Sequence, residues 1–572
     1  MQRYCHITFF VLLFIPLSVF SQGEGGRILF SDSSTDLKCK LSDGVKDSLA
    51  IQHYFQRCIF QLQSKGYLEA RIDSISYESL PVIAFGYKGN LYQWATLSAD
   101  SISKDLLSNS GINPKRITGK TLIPNQLSLF SDRILDHLDR SGYPFAQVSY
   151  VNTIIKNGLL STCVSIEKGP LIRFDTLYVK GDANISNRFL RSYLGFVKEE
   201  PYSEKKIKSY DKKLQTLSFA SVIRPTEVEF IPGKARVYTY ITNQRSSRFS
   251  GLVGLQSEGV DGSKIKLTGD LNLILTNTFR NGERNAIKWQ APGEGTQRLN
   301  ISTLWPYLFG SNFGINAKFL LYRRDTTYIN TNPEVMIDFF LPNGNSLGLG
   351  FEYRSSSTLS SGTSLIGDYS TSLYRISYTS GLTSDDIFPS KYFWTKASVS
   401  IGTRTADSSI DSNNESKQSV GEANGSVTFY YPIFADAIVL HMHSQTQLLF
   451  QVMKSDPQFR FLENELYRIG GYQVLRGFNQ ESILTNGYFV AGAELQFRLQ
   501  KTLNFIVFYD KGLVSTYSLS GKIVSYPYGF GLGFQLATAA GILNLNYALG
   551  QGFGQKITLS DAKIHVGFIA NF

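Results

Sequence analysis

Polar and apolar positions follow two different periods along this chain. From residue 22 to about 245, helical and strand patterns alternate; after Ser246 the helical period disappears and strand follows strand to the C-terminus. In the first region, Gln126 to Asp139 places Leu127, Phe130, Ile134, Leu135 and Leu138 on one face and predicts an amphipathic helix. In the second, Ile265, Leu267, Leu271, Leu273 and Leu275 share one face of a strand, with Gly269 between them. Phe313 to Leu321 and Ala397 to Gly402 alternate in the same way, and Gly541 to Tyr547 sets Leu543, Leu545 and Tyr547 against Asn544 and Asn546. Roughly 16 such strands fit at ~20 residues per strand and loop, an even number as barrel closure favours. The run Tyr528 to Phe534 carries Gly529, Gly531 and Gly533; no helix pattern follows, so it predicts a strand with one bare face for curvature or for a packed plug, and not a nucleotide loop.

The helical region repeats. SKGYLEARIDSI (Ser64 to Ile75) returns as RSGYPFAQVSYV (Arg140 to Val151), 76 residues on, and KGNLYQWATLS (Lys88 to Ser98) as KGPLIRFDTLY (Lys168 to Tyr178), 80 residues on. Three units are expected, at 22–90, 91–168 and 169–245, followed by a strand domain at 246–572. The third unit reads strand (Ile172 to Val179), helices (Ile185 to Leu194 and Ser203 to Leu217), then strands near Ser221 to Phe230 and Ala235 to Ile241. A small sheet with its helices on one face leaves a strand edge open, and such an edge accepts an extended peptide through backbone hydrogen bonds. The alternative is that the units are spacers that hold the strand domain in place.

Composition narrows the class. Hydrophobic residues make up 42% of 572 residues with a mean hydropathy of −0.11, and 32 Tyr, 40 Phe and 49 Gly accompany only 4 Met. Many short strands with aromatic rims give that balance. Arg3, the apolar run Ile7 to Phe20 and the Val19-Phe20-Ser21 cut site before Gln22 predict an export leader over residues 1–21. No later run is apolar enough to cross a bilayer as a helix, so an exported chain is either soluble or a β-barrel. The formal charge of +11 is spread out, which favours solvated faces and contact with anionic lipid headgroups over a nucleic-acid partner. Cys39, Cys58 and Cys163 remain after the leader; a Cys39–Cys58 disulfide and buried free thiols are both compatible with them.

Candidate chemistry centres on YRIGGYQVLRGF (Tyr467 to Phe478). Arg476 lies in a loop between strand patterns. The downstream strands GAELQFRL and FYDKG place acids among apolar residues at Glu494 and Asp510. A loop folded into a barrel lumen would let the guanidinium pair with these acids, with Gly477 turning the chain and Gly470-Gly471 acting as hinge. No metal or cofactor is expected. His441 and His443 stand two apart on one strand face, but no neighbouring acid is evident in the pattern, and they read as polar lumen or periplasm-facing residues. No G-x-S-x-G, phosphate loop or H-E-x-x-H occurs, so an enzyme is not expected.

These residues carry a family resemblance. LRGF (Leu475, Arg476, Gly477, Phe478) resembles the loop signature of the BamA/TamA superfamily of outer-membrane assembly barrels, also called the bacterial surface antigen family. FYDKG resembles its strand signature, whose Asp the family pairs with the loop Arg. The β-α-α-β-β units resemble POTRA domains, most clearly in the third unit. The last strand KIHVGFIANF, with Gly567, Phe568 and terminal Phe572, resembles the C-terminal signal of outer-membrane barrels. Leu475 departs conservatively from the usual Val or Ile, and DIFPSKYFW (Asp386 to Trp394) lacks the glycine that the family places after its proline. The resemblance implies an α+β periplasmic arm of POTRA-like repeats and a 16-stranded barrel in the outer membrane of a Gram-negative cell. It also implies a function, the insertion of other outer-membrane proteins. Expected partners are unfolded outer-membrane clients, outer-membrane lipids and periplasmic or inner-membrane accessory proteins. A barrel seam at Arg248 to Leu255, with Gly251 and Gly254, and at Gly567 of the last strand would template the client. The competing readings are a two-partner-type secretion pore for one soluble protein and a passive surface barrel.

Overall fold

Alternation of the kind seen after Ser246 has one economical outcome, a sheet with an apolar face and a polar face. The computed structural model describes residues 26–570 apart from 33–36, 40–47, 78–81, 100, 259–263, 294, 361–365, 382–388, 407–416, 453–458, 501, 519–520 and 539–540. The expected leader, Asp386 and Phe572 lie outside the described residues, as do the side chains of Cys39 and Phe568. Cys58 is disulfide-bonded and Cys163 is a free thiol.

The chain forms two compact units, one of residues 1–173 with 201–205 and one of residues 174–200 with 206–572. The first unit holds two small sheets. In one, Gly26–Phe30 lies parallel to Ile83–Tyr87, which pairs on its other side with Arg71–Ser76; helix Ser48–Ser64 covers the sheet through Ile51, Phe55 and Ile59. The other has the same order: Gln93–Ala99 lies parallel to Leu159–Glu167, which pairs with Gln147–Lys156. Helix Gln126–Arg140 buries Phe130, Ile134 and Leu138, one residue per turn, against Trp94, Leu97 and Leu160.

The two repeats of Gly-Tyr are the same turn built twice. Gly66 and Gly142 have φ of +97° and +93°, a conformation that glycine adopts without cost. After each, the tyrosine N–H (Tyr67, Tyr143) bonds back to a leucine carbonyl of the helix, Leu62 or Leu138. The glycine carbonyls accept from Tyr92 N at 2.9 Å and Ile172 N at 2.8 Å, where the following segment begins. Lys88 and Lys168 lie over the rings of Tyr67 and Tyr143.

The second unit begins with a third sheet of the same order, Arg173–Lys180, Lys234–Asn243 and Ala220–Ile231. Helix Asn187–Leu194 is capped by Ser186, whose Oγ accepts from Phe189 N, and closed by Gly195 at φ +73°. That helix docks on two turns of the large sheet. Ser186 Oγ donates to Asn281 Oδ1 at 2.8 Å, Ser192 Oγ donates to the Gly310 carbonyl at 2.7 Å, and the Phe189 ring meets Tyr307 edge-on.

The large sheet has seventeen antiparallel strands, from Arg248–Glu258 to Lys563–Ala570. The short Gly521–Ser525 pairs with the far end of Leu503–Ser518, whose near end pairs directly with Tyr528–Thr538; the two share one edge of Leu503–Ser518, and counted as one they leave sixteen wall strands among the described residues. The faces are inside-out relative to a water-soluble protein. Along Ser346–Thr358, Leu347, Leu349, Phe351 and Tyr353 are exposed, while Glu352 is buried on the other face. Val399 and Ile401 are exposed on Tyr392–Ala406 while Ser398, Ser400 and Arg404 are buried. An apolar exterior around a polar interior is the pattern a bilayer selects. The first and last strands lie side by side, with Cα atoms within 8 Å, yet among the described residues no backbone ladder joins them.

Candidate functional site: an arginine loop inside the barrel

Strand direction alternates along the wall, so the segment between Ile438–Gln451 and Gly487–Gln500 starts from the end opposite the turns that hold helix Asn187–Leu194. Residues 459–486 of it do not extend outward. Gly470 and Gly471, at φ +107° and +92°, fold it beneath residues 479–481, and Ile469, Leu475, Phe478 and Ile483 pack with wall residues Tyr488, Val490 and Val514. Leu475 is fully buried and Phe478 3% exposed.

That packing presents Arg476 to two adjacent wall strands. Its Nε donates to Asp510 Oδ2 at 2.7 Å and its Nη2 to Asp510 Oδ1 at 2.6 Å, a two-pronged pair; Nη1 donates to Glu494 Oε1 at 2.6 Å. The Arg476 backbone N–H also reaches Asp510 Oδ2, at 3.2 Å. The guanidinium lies 3.7 Å from the centre of the Phe508 ring. Arg476, Asp510 and Glu494 are all buried, so the pair is shielded from water.

Glycines make the approach possible. Gly477 sits at φ +91°, and a Cβ there would lie 2.6 Å from the Leu549 carbonyl. A Cβ on Gly529 would lie 1.9 Å from the Arg476 carbonyl oxygen. The bare face of the Gly529 strand is therefore where loop backbone rests on wall backbone. Gly529→Val is expected to lift the LRGF turn off the wall at a cost on the order of 3 kcal/mol. Limited proteolysis should then cut the 459–486 segment while the strands stay protected.

Two features were not read from the sequence. His441 does have an acid beside it: it stands directly across the ladder from Glu494, with Nδ1 2.8 Å from Oε2. The expectation of no neighbouring acid fails because strand pairing brings together residues 53 positions apart. The second feature is a larger ion network at the other end of the loop. Arg354 bonds Glu352 through Nε at 2.6 Å and Glu422 Oε2 through Nη2 at 2.6 Å. Arg375 reaches Glu422 Oε2 at 3.1 Å, Glu334 at 3.0 Å and also Glu352. Tyr467, where the loop begins its return, donates to Glu422 Oε1 at 2.6 Å. Glu465 takes a two-pronged contact from Arg404, 2.6 Å on each prong. Arg468 reaches Tyr328, and Arg298 reaches Glu481. The one signal that could have pointed here is charge at i and i+2 on an inward strand face, as at Glu352 and Arg354.

Residues 277–559 match the Omp85 superfamily domain. This chain belongs to the Omp85 superfamily. The matched segment contains Arg476, both acids and the second network. CdiB from Acinetobacter baumannii is similar in fold (13% identity, 91% of this chain and 97% of that chain covered, TM-score 0.55). CdiB from Escherichia coli is similar too (14%, 93% and 99%, TM-score 0.54). BamA from Haemophilus ducreyi lacking POTRA domains 1–3 aligns at 13% identity over 84% of this chain and 100% of that chain, with a TM-score of 0.44. No curated protein matches in sequence. As an Omp85 protein, the chain is an outer-membrane β-barrel preceded by small α/β domains.

Proposed function

We propose that this Omp85 protein inserts and folds other outer-membrane proteins, with the three small domains as POTRA units in the periplasm. The observation that carries the reading is the seam. Arg248–Glu258 and Lys563–Ala570 are neighbours without a backbone ladder, so each offers a row of donors and acceptors to an incoming strand. The client's own burial of backbone and apolar surface in the bilayer supplies the driving force. Gly251 and Gly567 add little side-chain packing to hold the seam shut.

The small domains support the same reading. Gln147–Lys156 is an outer strand of its sheet with Val151, Ile154 and Ile155 exposed, and Ala220–Ile231 is another with Ile223 and Phe230 exposed. An extended client segment fits both by strand addition. The competing reading, a secretion pore for one soluble partner, needs a route through the lumen. Residues 459–486 are bonded to wall strands on several sides of that lumen, which favours a lateral route. The deciding measurement is depletion followed by proteomics of the envelope and medium. Broad loss of outer-membrane barrels supports insertion. Loss of one secreted protein with an intact envelope overturns it in favour of the pore, and an unchanged envelope and medium in favour of a passive barrel.

A further inference from the structure

Charge does not balance at the arginine site. In the second network the three carboxylates Glu334, Glu352 and Glu422 are met by three cations, Arg354, Arg375 and Lys318. At the arginine loop, Arg476 faces two carboxylates, Asp510 and Glu494. Among the described residues, the remaining cation-capable groups within salt-bridge distance of those carboxylates are His441 and His443. One buried negative charge is therefore left to an imidazole pair, and a buried charge without a partner is costly.

We propose that His441, His443 and Glu494 form a binding site for a divalent transition-metal ion of the Zn2+ class on the inner wall of the barrel. One ligand nitrogen of each histidine and one oxygen of Glu494 lie within 4.8 Å of one another. Two imidazoles and a carboxylate are a donor set that such ions take, with a water completing the tetrahedron. The wall prepares the site. His441 and His443 are at i and i+2 on one strand, and Glu494 is the direct cross-strand neighbour of His441. Across from His443 stands Gly492, where a Cβ would lie 2.3 Å from the His443 ring; its absence lets that ring lie flat on the wall.

Surrounding groups orient the ligands as outer partners do in metal sites. The Tyr430 ring stacks on His441 at 4.1 Å and 9°. Gln496 Nε2 donates to Glu494 Oε2 at 3.1 Å, while Arg476 holds Oε1. His443 Nδ1 is buried and has no hydrogen-bond partner among the described residues. A polar cavity of about 120 Å3 borders His441, Glu494, Arg476 and Tyr472, with room for a bound water. The ion displaces the proton shared by His441 Nδ1 and Glu494 Oε2. It thereby joins strands Ile438–Gln451 and Gly487–Gln500 at the carboxylate that also anchors the loop.

The test is equilibrium dialysis of tag-free, full-length protein in detergent micelles against Zn2+, and against Co2+ as a spectroscopic probe. One ion per chain is expected, with the visible absorption of four-coordinate Co2+. His441→Ala and His443→Ala should each weaken binding at least tenfold, and His565→Ala, on the last strand, should leave it unchanged. The proposal is overturned if the wild-type protein binds no stoichiometric ion, or if the double His441→Ala, His443→Ala variant binds as tightly. Should the variants fail to fold, the wild-type Co2+ spectrum decides: an octahedral aqua-type spectrum rejects the site.

Discussion

Replacing Arg476 by glutamate should free the 459–486 segment from the lumen while leaving the wall intact. Three carboxylates would then share a site with no guanidinium, and Asp510 is only 1% exposed. Breaking a buried pair by removing one partner costs about 3–5 kcal/mol, because the remaining charge stays buried and unpaired. The measurement is protease accessibility of the segment in micelles, together with the temperature at which the barrel loses its compact form on a heat-shift gel. Arg476→Ala should have the same direction and a smaller effect. Combining Arg476→Glu with Asp510→Arg restores an opposite-charge pair in the same place and should recover part of the loss. If the double variant is no more protected than Arg476→Glu, the ion pair is not what holds the loop.

An effect of similar size is expected at Glu422, a residue that no loop signature marks. Its two oxygens serve Arg354, Arg375 and Tyr467, and it is 2% exposed. Glu422→Ala leaves two buried guanidiniums to Glu352 and Glu334, and detaches the start of the loop's return at Tyr467. The expected cost is again about 3–5 kcal/mol, seen as a lower heat-shift temperature. Tyr467→Phe, which removes one hydrogen bond to a carboxylate, should cost less, about 2 kcal/mol. Equal effects from the two substitutions would mean that Glu422 acts through Tyr467 alone and that the arginines find other partners.

The contrast between Arg476 and Glu422 marks what the sequence can disclose. Arg476 stands out because glycines flank it at short range and because strand acids follow within one hairpin, at Glu494 and Asp510. The two-period division of the chain and the alternation of faces along strands such as Gly541 to Tyr547 were legible for the same reason: they are local. Glu352, Arg354, Arg375 and Glu422 lie on three wall strands and meet because the ladders set Arg375, Ser400 and Glu422 in one row across neighbouring strands, with Glu352 beside it. No spacing rule reports that row. Ladder register was equally hidden, which is why Glu494 opposite His441 went unread. So was the docking of helix Asn187–Leu194, whose Phe189 and Ser192 face turns more than a hundred positions away.

The duplicated Gly-Tyr corner has a consequence for engineering the arm. Because Gly66 and Gly142 present the same carbonyl to the same kind of downstream N–H, a chain cut after one glycine and rejoined after the other would exchange equivalent partners: Tyr143 N would bond Leu62 O in place of Leu138 O, and the Gly66 carbonyl would accept from Ile172 N in place of Tyr92 N. Excising residues 67–142 would thus splice Gly66 to Tyr143. The shortened chain would keep one corner of the native kind.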